Sequence, residues 1–133
     1  MEGETLLHRQ IHPSWVQNDS ISSQAFLTEN NIASLSFAPS EKDENKLSVY
    51  NGEKLTPEQS FIHYTSKFTS IGVLSISINE INTVGDLLVI EDNNPFDGHS
   101  VVDYTNVVSA TQVKKKAKKI KNIAVARGWT HKK

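Results

Sequence analysis

The residues of this sequence that could do chemistry are an arginine in its opening segment, five histidines and a cluster of serines. Residues 5–11 alternate in the manner of a strand. Leu7, Arg9 and Ile11 share one side, and His8, Gln10 and, just beyond, His12 share the other. A guanidinium on an apolar side is costly unless it meets an acid or an anionic ligand. Arg9 is therefore the candidate anchor for a phosphate or carboxylate, the alternative being an edge-strand arginine that reaches water. His8 and His12 would sit roughly 13 Å apart on a strand, too far to share an ion. No His-Glu-x-x-His pattern occurs, so no metal site is expected and no cofactor is specified. His12 remains a candidate acid or base, since an imidazole titrates near neutral pH. The competing reading is a surface or capping histidine.

Ser22 and Ser23, in the stretch Ser20-Ile21-Ser22-Ser23-Gln24-Ala25-Phe26, are candidate ligand-binding hydroxyls for a sugar or phosphate. No Gly-x-Ser-x-Gly elbow marks either as a nucleophile, and serine clusters are ordinary in loops. Asp97-Gly98-His99 stands where a loop enters a strand. Asp97 could orient His99 as a general base, with Asp103 on the same strand face. Asp97 could equally cap its own turn. His63 and Tyr64 fall in a predicted helix, where Tyr64 reads as core.

The elements that must position these groups follow from pattern. Strands are expected at residues 5–11, 47–50, 72–78, 87–91 and 99–104, and residues 32–38 form a further apolar run. Thr56-Pro57-Glu58-Gln59 carries a capping box with proline in the first turn, predicting a helix to about Phe68 with Phe61, Tyr64, Thr65 and Phe68 along one face. Residues up to Gly85 read as a turn after the 72–78 strand. A last helix is expected over 109–127, ended by Gly128. The order predicts an α+β fold with a mainly antiparallel sheet, one internal helix and one C-terminal helix, in a single domain spanning 1–133.

Charge divides the chain. The first 111 residues hold five basic against fifteen acidic residues, a net of −10, and residues 112–133 hold nine Lys or Arg and no acid. In the terminal helix Val113, Ala117, Ile120 and Ala124 form an apolar stripe, with lysines on the remaining faces. Lys115, Lys118 and Lys119 are candidate contacts to nucleic-acid phosphates. The rival readings are an anionic membrane surface, for which the stripe is too rich in alanine, or a stripe packed on the sheet with its lysines toward water or the acidic body. Trp129 is expected to close the core.

With 37% hydrophobic and 22% charged residues the composition is that of a folded chain. The lack of cysteine excludes disulfides, thiolate metal sites and a cysteine nucleophile. No apolar run approaches the ~20 residues of a membrane span, and the acidic opening lacks the layout of a secretory signal, so a cytoplasmic protein is expected.

Leu7-His8-Arg9-Gln10-Ile11-His12-Pro13, Ser22-Ser23-Gln24-Ala25-Phe26, Leu47-Ser48-Val49-Tyr50 and Gly98-His99, in that order, resemble a group of short bacterial and phage-encoded proteins of unassigned role. That resemblance covers most of the chain and implies no activity. An opening strand bearing an arginine, followed by Ser-x-x-Phe, is similar to ADP-ribosyltransferase-like folds. That likeness implies that Arg9 holds a phosphate or ribose and that Ser22 or Ser23 bonds the nicotinamide ribose. The catalytic acid of such folds has no clear counterpart, Glu80 lying near the place but reading as a turn residue.

The expected function is binding of a nucleotide-like or other phosphate-bearing ligand in a polar cleft, with or without catalysis. Arg9 would anchor the anion, Ser23 would bond a sugar hydroxyl, and His99 and His12 would be the acid–base groups. The alternative is a non-catalytic interaction protein of accessory or immunity type, binding protein or nucleic acid through its acidic body and basic helix.

Overall fold

The computed structural model describes residues 1–16, 32–39 and 45–133. Its strands are β1 (Leu6–Ile11), β2 (Lys46–Asn51), β3 (Gly72–Ser77), β4 (Leu88–Ile90), β5 (His99–Asp103) and β6 (His131–Lys132). They form one antiparallel sheet in the order β4-β5-β2-β1-β3-β6. With helices α1 (Pro57–Thr65), α2 (Ile78–Val84) and α3 (Ala110–Arg127) this is an α+β fold.

Alternation along the strands gives the sheet two different faces. One face carries Leu7, Ile11, Leu47, Val49, Leu74, Ile76 and Val102, all buried. It is covered by α2, α3 and a 3-10 turn at Ser34–Phe37, which bring Ile81, Val84, Ala117, Ile120, Ala124 and Phe37 into the same apolar cluster. The apolar stripe of α3 therefore packs inward, while Lys115, Lys118 and Lys119 are exposed. Lys116 departs from the outward pattern expected of the lysines. It is buried, its ammonium donates to the Val84 carbonyl at 3.1 Å and it lies 3.6 Å from Asp86. That cation sits at the C-terminal end of α2, where unpaired carbonyls favour positive charge. Trp129 packs against the core from beyond Gly128. The Trp129 ring lies so close to Gly72 that a Cβ there would come within 2.8 Å of it.

Three local expectations change. The turn expected after β3 contains α2, whose start is a capping box: Ser77 accepts from the Glu80 amide, and Glu80 accepts from the Ser77 amide. Glu80 is thus a helix-start residue, held by Arg127 at 2.7 Å. Helix α1 ends at Thr65 rather than Phe68, because the Lys67 and Phe68 amides both turn back to the Tyr64 carbonyl. Phe68 is consequently 62% exposed. In the apolar run 32–38, Ile32 bridges Val16 and Ser34–Phe37 coils, since its partner is α3 rather than the sheet.

Ile120, fully buried at the centre of the α3 contact, tests this packing. Ile120→Ala is expected to lower unfolding free energy by about 2–5 kcal/mol, read as a lower urea midpoint with an unchanged denaturant slope.

Candidate functional site

The second sheet face begins with buried polar side chains. His8 and Gln10 are 2% and 4% exposed, so each must find partners. His8 Nε2 is 3.1 Å from the Leu55 carbonyl and Nδ1 is 2.8 Å from the Ser75 hydroxyl. A carbonyl only accepts, which places the ring proton on Nε2 and makes Nδ1 the acceptor of the Ser75 proton. Ser75 Oγ continues to the Thr130 hydroxyl at 2.8 Å. Gln10 donates to Ser60 Oγ at 2.9 Å and accepts from Ser70 Oγ at 3.0 Å. These bonds fasten α1 and both its flanking turns over β1 and β3. Burial, opposed weakly by the Leu55 bond, lowers the His8 pKa to about 4.

Beside α1 the same face opens into a hollow of about 540 Å³, within the size range of small-molecule sites. Its floor includes His8, Gln10, Ser48 and Tyr50, and α1 with the turn after it contributes His63, Tyr64, Ser66, Lys67 and Phe68. Pro95, Phe96 and His99 complete its lining. Phe96 touches three rings, with centroids at 4.4 Å to His63, 5.2 Å to Tyr50 and 5.3 Å to His99. Tyr64 and Phe68 make a second aromatic pair at 5.1 Å.

Both imidazoles of the walls are held at Nδ1. His63 Nδ1 is 2.8 Å from the Tyr50 hydroxyl, and His99 Nδ1 is 2.6 Å from Asp92 Oδ1. Burial, with a smaller contribution from Tyr64, raises the Tyr50 pKa to about 12, so the phenol keeps its proton. The Asp92 carboxylate can only accept, so His99 donates from Nδ1, which leaves Nε2 as the ring's other nitrogen. The loop 92–98 is shaped to do this. Asn93 donates its amide to the His99 carbonyl, and its side chain accepts the Gly98 amide at 2.9 Å. Gly98 has φ +99°, a backbone conformation that other residues rarely adopt, and a Cβ there would displace the end of the Leu55 side chain. Lys54 ties the loop to the β2–α1 turn through Asp97.

The sequence candidates scatter. His99 lies in the hollow. Its orienting acid is Asp92 and not the expected Asp97, which pairs with Lys54 instead. Asp103 does share the strand face of His99, but its carboxylate bonds Thr105. Arg9 borders the hollow where β1 and β2 part company after His8↔Tyr50. Its Nε donates to the Ser36 carbonyl at 2.8 Å and Nη1 to the Ser48 carbonyl at 3.0 Å, and the guanidinium stacks 5.4 Å from the Trp15 ring centroid. It stitches the split strands to the Ser34–Phe37 turn. His12 lies outside the hollow: it is an exposed cap whose Nδ1 accepts the Ser14 amide at 3.0 Å. Its place past the end of β1, before Pro13, removes it from the strand alternation. Ser22 and Ser23 lie outside the described residues.

Sequence reading did not single out Tyr50, Asp92 or Phe96, and passed over His63. Among the described residues no group of three His, Asp or Glu side chains could hold a metal ion. The chain matches no family model, no curated protein and no solved structure.

The unfolded chain protonates His8 near pH 6.5 and the folded chain near 4. Between those values the unfolded state binds more protons, so stability falls as pH falls, by about 3 kcal/mol across the window. Urea unfolding at pH 7 and pH 4 is expected to show this loss in the wild type, and His8→Gln is expected to lose correspondingly less.

Proposed function

We propose that the hollow binds a small nucleotide-like or other phosphate-bearing ligand, with His99 as its acid–base group. The observation that carries this reading is the pairing of His99 with Asp92 beside an aromatic-walled cavity of ligand size. The Tyr64–Phe68 pair offers a face on which a base can stack. Lys67 and Ser66, on the same wall, offer a cation and a hydroxyl to an anionic group, with the split held by Arg9 at the margin. The resemblance to ADP-ribosyltransferase-like folds agrees with a nucleotide ligand. It gives Arg9 a phosphate, however, whereas two guanidinium donors of Arg9 serve backbone carbonyls here.

Titration with adenosine monophosphate, followed by the imidazole proton resonances, is expected to move His99 and His63 and leave His12 in place. Lys67→Ala is expected to weaken binding about tenfold, the scale of one charge-assisted hydrogen bond. Shifts at His12 alone, or none at any histidine, would remove this reading.

A second reading, a non-catalytic partner for nucleic acid or an acidic protein, is favoured by the exposure of Lys115, Lys118 and Lys119 along one helix. If α3 tracks phosphates, affinity for a DNA or RNA duplex falls steeply with salt, and alanine at all three lysines flattens that slope by about three units. No helix among the described residues is long and apolar enough to cross a membrane.

A further inference from the structure

Besides His8 in its floor, whose two ring nitrogens are both engaged, the hollow is lined by two further imidazoles, each engaged at Nδ1. His63 meets Tyr50 through Nδ1 and His99 meets Asp92 through Nδ1, which leaves Nε2 of both rings as the atom offered to a ligand. Both rings touch Phe96, and their centroid distances to it, 4.4 and 5.3 Å, confine the two imidazoles to within about 10 Å of each other. A phosphoryl group bridging the two rings needs each Nε2 within roughly 3 Å of one of its oxygens, and the shared contact with Phe96 keeps both rings beside one side chain of the lining. The two rings also have unlike partners. Asp92 fixes His99 as an Nδ1 donor, which leaves Nε2 as the acceptor of the neutral ring, whereas the phenol of Tyr50 can donate a hydrogen bond to His63 Nδ1 or accept one from it. That asymmetry divides the two ends of a proton relay between them.

We infer that the hollow cleaves ribonucleotide phosphodiesters by transesterification, with His99 as general base and His63 as general acid. The inference rests on the reading of the hollow as a phosphate-ligand site. His99 Nε2 takes the proton of the ribose 2′-hydroxyl, and the 2′-oxygen forms its bond to phosphorus. The bond from phosphorus to the 5′-oxygen breaks, and protonated His63 gives its Nε2 proton to that leaving oxygen. The products are a 2′,3′-cyclic phosphate and a free 5′-hydroxyl. Each imidazole then exchanges one proton with water, so no oxidant, reductant or metal enters the balance. Lys67 faces the charge on the non-bridging oxygens, and a base stacks on Tyr64 and Phe68. Asp92 is a positioning residue, holding the tautomer of His99 without touching the substrate.

The test uses the full chain, a single-stranded RNA oligonucleotide, its all-2′-deoxy counterpart and excess EDTA, with the product ends identified by mass. The RNA is expected to yield 2′,3′-cyclic phosphate and 5′-hydroxyl ends, and the deoxy strand to bind without cleavage. His99→Ala and His63→Ala should each lose at least 100-fold in kcat and still bind the deoxy strand within about threefold, with folding checked by circular dichroism. Asp92→Asn should lower kcat with little change in KM, and His12→Ala should match the wild type. Should a variant fail to fold, alkylation of the wild-type histidines replaces it, with loss of cleavage expected when His63 or His99 is modified. RNA bound but uncleaved, cleavage that EDTA abolishes, or cleavage unaffected by loss of both imidazoles would each overturn the inference while leaving the ligand site standing. Failure to bind either strand or adenosine monophosphate would overturn both.

Discussion

Two polar side chains on one strand, His8 and Gln10, set much of the remaining geometry. They are buried on a sheet face, where an unpaired donor or acceptor costs about 1–3 kcal/mol. Their partners are Leu55, Ser75, Ser60 and Ser70, which lie on the turn before α1, on β3, on α1 itself and on the turn after it. Satisfying this pair places α1 over one half of the sheet. Among the described residues no helix packs on the other half of this face, and the hollow lies beside α1.

This polar seam engages both ring nitrogens of His8. Both nitrogens are taken and its proton affinity is low, so it serves as a neutral structural link at the hollow floor. His63 and His99 stand at the walls with one nitrogen held and the other available. The loop bearing Asp92 and Phe96 is closed by Asn93, by the tight approach of Gly98 to Leu55 and by the Lys54–Asp97 pair. It is anchored through Lys54 to the turn that His8 grips, so that turn joins the floor to this wall.

The charge division seen along the chain is resolved unevenly in space. Lys116 and Arg127 turn from α3 to the body and meet Asp86 and Glu80 at the two ends of α2. Lys115, Lys118 and Lys119 remain outward. Helix α3 thus completes the apolar face through its stripe and keeps a cationic outer surface, two roles that the 3.6-residue period separates cleanly.

By itself the sequence determined the elements whose signals are local. Period-two alternation marks β1, β3 and β5, the Thr56–Gln59 capping box starts α1, and the four-three-four apolar spacing assigns α3 its inward stripe. It also held the signal for α2 in Ser77–Glu80, although a helix of seven residues is short enough to pass for a turn. Of the candidate site, His99 was legible because it stands where a loop enters a strand, a usual place for functional side chains. Only the tertiary structure decided that Asp92, seven residues away, and not Asp97 orients it. The choice depends on how the 92–98 loop folds back and on Lys54 claiming Asp97. It decided too that the Arg9 guanidinium serves two carbonyls at a split between strands, and that His12 falls beyond the strand end. Bringing His63, Tyr50 and Phe96 to His99 requires contacts between elements distant in sequence, and such contacts leave no periodic trace in the chain.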